Sequence, residues 1–318
     1  MTTYIIRRLL HAALVILIVS LLVFLLMRLL PGDPILMYVA SGDLQSFSQE
    51  QITHLKHELG MDKPLLVQYL DWLWNAVRGD LGKSLLHKYD VWEEIGHRLP
   101  VTLYLGLIAF AIGCVVGPFL GVISAIRRGK WIDNLVTVIA NLGITAPPFW
   151  LGAVMIYLFG LYMGLLPIYG YTSPLVDFWK NIQQSIMPIF VLATFPVASA
   201  ARQTRSSVIE VMQQDYIRTA WAKGLSEKVI IVRHVLKNAL LPVVTLQGMS
   251  LRNIIGGSVL VETVFVIPGM GKLAVDAMLA QDYSVVQGVV LVVAVTVVVS
   301  SLIVDILYGW LDPRIQYE

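Results

Sequence analysis

Few residues in this chain are of a type and placement that could do chemistry, and several sit where a charge is costly. Arg252 lies about ten residues into an apolar run, which at 1.5 Å per residue is roughly 15 Å deep in a bilayer. A charge at that depth is expected to face a cavity or a partner. Thr245, Gly248, Arg252, Gly256 and Val259 fall on one helical face that is small and polar, as the lining of a translocation path would be. Arg252 could meet a substrate carboxylate there, or pair with a carboxylate or backbone carbonyl of a partner subunit. Glu262, near the end of the same run, is expected to be a hydrated carboxylate at the membrane interface. Asp305 and Tyr308 near the end of the last run suit interface or capping roles better than a proton relay, since no chain of acids accompanies them. His54 and His57, with Glu58 beside them, could touch a metal, but two histidines without a third ligand fit a solvated helix face, and no metal is expected.

Nothing in the sequence has the pattern of a catalytic centre. The Gly-x-x-x-x-Gly-Lys-Ser/Thr phosphate loop is missing, so any ATP hydrolysis has to come from another subunit. There is no His-Glu-x-x-His and no Gly-x-Ser-x-Gly, which argues against an intramembrane hydrolase. The chain is therefore expected not to be an enzyme and to bind no cofactor itself.

The elements that position these residues are membrane spans. With 57% hydrophobic and 14% charged residues and a mean hydropathy of +0.74, most of the chain must have lipid as its solvent. Six runs are candidate spans: 9–30, 101–126, 132–161, 186–201, 240–261 and 285–310. The first is too long for a signal peptide and ends in Leu29-Leu30-Pro31-Gly32 rather than a cleavage site, so it reads as an uncleaved span. The fourth is short and holds Pro188 and Pro196, which a packed bundle tolerates. The lone Cys114 lies within a span and cannot form an internal disulfide.

Basic residues flank alternate ends of these runs: Arg7 and Arg8, then Arg127, Arg128 and Lys130, then Arg202, Arg205, Arg218, Lys223, Lys228, Arg233 and Lys237. With six spans all three groups fall on one side, which the positive-inside rule makes cytoplasmic along with both termini. The polar stretch 31–98 then faces outward as a small helical insertion. It starts with a Pro31-Gly32-Asp33-Pro34 turn, has helical spacing over 48–59 with Gly60 as a C-cap, and an aromatic amphipathic helix over 67–77 suited to a membrane surface. The organisation expected is 1–30 as N-terminus and first span, 31–98 as extracytoplasmic insertion, and 99–318 as a five-helix core carrying the loop 206–242.

That loop holds two amphipathic segments. Ile209, Met212, Tyr216 and Ala220 recur at helical steps in the first, and Val229, Val232, Leu236 and Leu240 in the second. Gly224 between them permits a left-handed residue that ends one helix and turns the chain. Composition alone is met by interfacial anchoring of the loop. A helix, a sharp turn and a second helix also make a rigid foot under the bundle.

The residue order is more specific. Asp215-Tyr216-Ile217-Arg218-Thr219-Ala220-Trp221-Ala222-Lys223-Gly224-Leu225 and Arg233-His234-Val235-Leu236-Lys237-Asn238-Ala239-Leu240-Leu241-Pro242 closely resemble the coupling loop of binding-protein-dependent ABC importer permeases of the dipeptide, oligopeptide and nickel branch. Gly79-Asp80-Leu81-Gly82-Lys83-Ser84, Glu262-Thr263-Val264-Phe265, Pro268-Gly269-Met270-Gly271, Asp282-Tyr283 and Asp312-Pro313-Arg314 look like further landmarks of that branch, in its order. Where the general family signature has Glu-Ala-Ala, this chain has Arg218-Thr219-Ala220, and its interval from Gly224 to Pro242 is longer, as in the peptide and nickel branch.

The resemblance implies an all-α polytopic type I ABC importer permease fold with about six membrane helices, in a bacterial inner membrane. It implies a second homologous permease, two cytoplasmic ATPases that hold ATP and Mg, and an extracytoplasmic binding protein, with no nucleic acid partner. Asp215, Tyr216, Arg218, Thr219, Ala220, Lys223 and Gly224 would contact an ATPase, and Thr245, Gly248, Arg252 and Gly256 would line the path. Di- or oligopeptides are the implied substrates, with nickel chelates, glutathione and small glycans as alternatives. A stand-alone ion-coupled carrier is the rival reading.

Overall fold

Long unbroken apolar runs satisfy every backbone polar group internally only as helices. The computed structural model describes residues 2–29, 53, 57, 62–252 and 254–311, and among these no strand forms. In chain order the helices are α1 (Thr2–Leu29), α2 (Leu65–Val77), α3 (Val91–Ile126), α4 (Trp131–Thr145) and α5 (Pro148–Met155), which continues as a π-helical segment Ile156–Tyr162. Next come α6 (Phe178–Met212), α7 (Asp215–Ala222), α8 (Glu227–Val229) with its π-helical continuation Ile230–Val235, and α9 (Leu236–Ala239). The last four are α10 (Leu241–Arg252), α11 (Ile254–Val264), α12 (Met270–Leu279) and α13 (Tyr283–Leu311). The turn at 31–34 lies outside the described residues, and so does the helix with its cap at 48–60 apart from Thr53 and His57.

By length and composition four helices can cross a membrane unbroken, in α1, α3, α6 and α13, and two bent pairs bring the total to as many as six. The third expected span is one of those pairs. It bends by 108° between α4 and the α5 segment rather than running straight. Pro147 lacks the N–H that would continue α4 and forces Ala146 into extended backbone (φ −68°, ψ 124°), while Pro148 restarts a helix at its first position. The fourth expected span changes in the other direction. Pro188 and Pro196 lie inside one continuous 35-residue α6 that extends well past Ala201.

The chain packs as two compact units. One takes in the described residues of 1–101 and 269–302. Its core gathers Met27, Leu81, Val91, Ile95, Met270, Leu273 and Val289. Ser84 Oγ donates a 2.5 Å hydrogen bond to Asp282 Oδ2, joining two of the motifs noted above, and Gly82 turns the chain there with φ +82°. These units follow packing, whereas the three-part division of the sequence follows sides of the membrane.

The second unit takes in 102–268 and the described residues of 303–312. Here α3 and α6 lie in close approach along Gly113, Gly117 and Gly121. A Cβ on Gly117 would sit 2.6 Å from Ala200 Cβ, and one on Gly121 would sit 2.5 Å from Ala201 O. Small residues at a four-residue spacing let backbones pack this closely without side chains between them.

Glu262 differs from its expected role. It is fully buried, not hydrated, and Thr102 Oγ1 donates to its Oε1 at 2.7 Å. The partner comes from α3, 160 positions away, which is why spacing within α11 gave no sign of it. Asp305 is also buried, and the side chain of Tyr308 lies outside the described residues.

Candidate coupling site

The foot is built from the end of α6 onward. The face linking Ile209 to Ala220 is not one helix: α6 stops at Met212, Gln214 is extended (ψ 147°), and α7 begins at Asp215. Asp215 in the first turn of α7 lies against the positive end of the helix dipole. Arg218 reaches back to it at 3.2 Å, in an exposed pair that adds little stability, and Thr219 Oγ1 donates to Asp215 O. At the far end Gly224 N donates to Trp221 O at 2.9 Å, and Gly224 takes φ +74°. Its left-handed backbone turns the chain as the sequence suggests, with open space around the missing Cβ.

One face of α7 holds the helix to its own subunit. Ile217 and Ala220 are buried in a cluster with Ala125, Val208, Ile230, Val235 and Ala239. Complete burial of a side chain the size of Ile217 contributes about 2 kcal/mol. The other face is open: Asp215, Tyr216, Arg218, Thr219 and Lys223 are exposed, with Trp221 beside them. Six of the seven residues expected to meet an ATPase are thus exposed, and Ala220 is the exception, turned inward.

The second segment also departs from its expected face. Val232 is 56% exposed and Val229, Leu236 and Leu240 are half-buried, while Ile230, Ile231, Val235 and Ala239 are buried. The cause is the π-helical stretch Ile230–Val235, whose wider turn rotates the inward face relative to ordinary helical spacing. Asn238 Nδ2 donates to Tyr216 Oη at 2.8 Å and so ties this segment back to α7.

An ion pair that the sequence did not reveal fixes the base of the foot. Asp133, 2% exposed, accepts from Arg205 Nε at 2.6 Å, Arg205 Nη2 at 2.9 Å, Ser124 Oγ at 2.5 Å and Gly129 N at 2.9 Å. Four donors on one carboxylate join α3, α4 and the lower part of α6. Arg205 is one of the seven basic residues counted for topology, and its partner lies 72 positions earlier.

The expected path residues lie on α10 and α11. Thr245 is exposed with its Oγ1 donating to Leu241 O, and Gly256 is exposed with open space around it. Gly248 is half-buried and borders a largely apolar cavity of about 310 Å3. Gln247 lines the same cavity and donates to Gly113 O at 3.0 Å. Arg252 ends α10, and its side chain is outside the described residues. Of the suggested histidine site only His57 is described, and its Nδ1 lies 2.6 Å from Asp62 Oδ2. His54 and Glu58 are outside the described set.

The chain matches the family model of the binding-protein-dependent transport system inner membrane component over residues 117–317, and the N-terminal model of the same transport systems over residues 1–106. It is 43% identical over its full length to a Brucella abortus protein whose name describes a peptide transport system permease, also covered completely. It is 38% identical to the dipeptide transport system permease protein DppB of Escherichia coli, with 94% of each chain covered. In fold it is similar to the MetNI methionine ABC transporter in inward-facing conformations, with a TM-score of 0.56 at 18% identity, covering 69% of this chain and 96% of that one. The chain belongs to the family of binding-protein-dependent transport system inner membrane components and has the fold of an ABC importer permease.

Proposed function

We propose that this chain is one of two membrane subunits of an ATP-driven importer for di- or oligopeptides. The observation that carries the reading is the foot: a short helix anchored through Ile217 and Ala220, with Asp215, Tyr216, Arg218, Thr219 and Lys223 left open on its outer face. Apart from the Asn238–Tyr216 hydrogen bond, such a face makes only bonds within its own helix, and it is suited to a cleft on a cytoplasmic ATPase. Two ATPases, holding ATP and Mg, would close on hydrolysis-linked cycles and rock the bundles between inward-facing and outward-facing states. The foot and both termini would then be cytoplasmic, in keeping with the basic loops. A binding protein would deliver peptide from the other side, and the path would run along Thr245, Gly248, Arg252 and Gly256. The dipeptide in the name of the Escherichia coli relative supports peptide over nickel chelates or glutathione.

The test is reconstitution. The chain, a second permease, the ATPases and a binding protein in proteoliposomes should take up labelled dipeptide only with ATP and all partners present. Uptake by the purified chain alone under an ion gradient would replace this reading with a secondary carrier.

A further inference from the structure

Arg127, Lys130 and Lys228 line one cleft of about 490 Å3, with Glu227 as its single acid and Ile231 and Val232 among its apolar walls. The first two cations come from the turn between α3 and α4 and the third from α8, so distant parts of the chain converge on it. A topology signal requires positive charge on one side of the membrane, but it does not require the charges to share a cleft. Among the described residues none of these three side chains is ion-paired.

The walls are held in place by contacts of the chain itself. Gly129, at φ +77°, donates to buried Asp133, Lys130 N donates to Arg127 O at 2.9 Å, and the cluster containing Ile230 and Val235 fixes the other side. Apolar groups are exposed beside these charges: Val232, in the wall of the cleft, is 56% exposed, and Trp131, which follows Lys130 in the chain, is 72% exposed. Exposed aromatic and aliphatic groups beside unpaired cations suit the boundary between headgroups and acyl chains, where tryptophan is enriched.

We infer that this cleft binds the phosphate of an anionic phospholipid, with Arg127, Lys130 and Lys228 around the headgroup and Trp131 and Val232 against the upper acyl chain. Basic recesses between helices on the cytoplasmic side are suited to such headgroups. The inference uses the orientation proposed above only to choose the leaflet, and binding to the purified chain does not depend on transport.

The purified full-length chain, equilibrated with equal amounts of phosphatidylglycerol and phosphatidylcholine, is examined by native mass spectrometry for retained lipid. Selective retention of one phosphatidylglycerol is expected. The double variant Lys130→Gln, Lys228→Gln should weaken it by about fivefold per lysine, or roughly 25-fold together. The Lys130→Arg, Lys228→Arg variant should restore retention, and Glu227→Gln should strengthen it. Equal retention of both lipids, or no change in the glutamine variant, would overturn the inference. So would displacement of phosphatidylglycerol by equimolar inorganic phosphate, which would make the cleft a free-anion site. Loss of ATPase binding in the glutamine variant with lipid retention intact would overturn it in favour of a protein contact.

Discussion

Arg205 clasps Asp133 through two hydrogen bonds, Nε to Oδ1 at 2.6 Å and Nη2 to Oδ2 at 2.9 Å, where α6 passes the start of α4. Arg205 lies two helical turns before the end of α6, and α7 follows directly. Any force on the foot therefore passes a helix that is bound to its neighbours by a charge pair on a buried carboxylate and not by apolar packing alone.

Removing Arg205 should be costly, because it leaves the buried Asp133 charged with only Ser124 Oγ and Gly129 N as donors. Arg205→Ala is expected to destabilise the chain by roughly 3 kcal/mol, read as a lower unfolding temperature in detergent. The double variant Asp133→Asn, Arg205→Gln should lose less than the sum of the two single changes. Additive losses would show that the two side chains do not act together.

The glycines of α3 separate packing from helix propensity. Gly121→Ala would place a Cβ 2.5 Å from Ala201 O and 2.6 Å from Thr204 Cβ, and the backbone oxygen cannot swing away. A loss of about 2 kcal/mol is expected, as for overpacked sites. Gly96→Ala, on the same helix with nothing within 4 Å, should be neutral or stabilising by up to about 1 kcal/mol. Thermal unfolding of the two variants side by side checks the contrast.

The two faces of α7 should respond differently to the same charge. Ala220→Asp buries a carboxylate in the apolar cluster and should loosen the foot itself, seen as faster proteolysis between 206 and 242. Thr219→Asp stands on the open face, so it should leave proteolysis unchanged while reducing capture of the ATPase at least fivefold. Equal proteolysis of both would contradict the assignment of faces.

How much of this was legible in the sequence depends on the range of the interaction. The Gly224 turn was readable because a glycine between two amphipathic segments is a local signal, and so were the long apolar helices. The bend at Ala146 had a local signal too, the Pro147-Pro148 pair, which the unbroken run of hydrophobicity masked. The inward face of Ile230–Val235 was not readable, because spacing arguments assume an ordinary helical turn and this segment is wider. Glu262 looked interfacial because only its own helix was in view, and its partner Thr102 comes from another part of the chain. Arg205 stood out in the sequence only as a topology charge, and nothing local joins it to Asp133, 72 positions earlier.

The claim that the foot transmits motion is tested most directly at Gly224. Its φ of +74° costs a side-chain-bearing residue about 1–2 kcal/mol, more when β-branched, while the space around it is open, so a substitution should bend the turn without a clash. Dipeptide uptake and ATP hydrolysis are measured together in proteoliposomes containing the assembled importer with Gly224→Val. The account predicts normal insertion and at least a tenfold fall in peptide imported per ATP hydrolysed. An unchanged ratio of uptake to hydrolysis would contradict it and leave the loop as a membrane anchor.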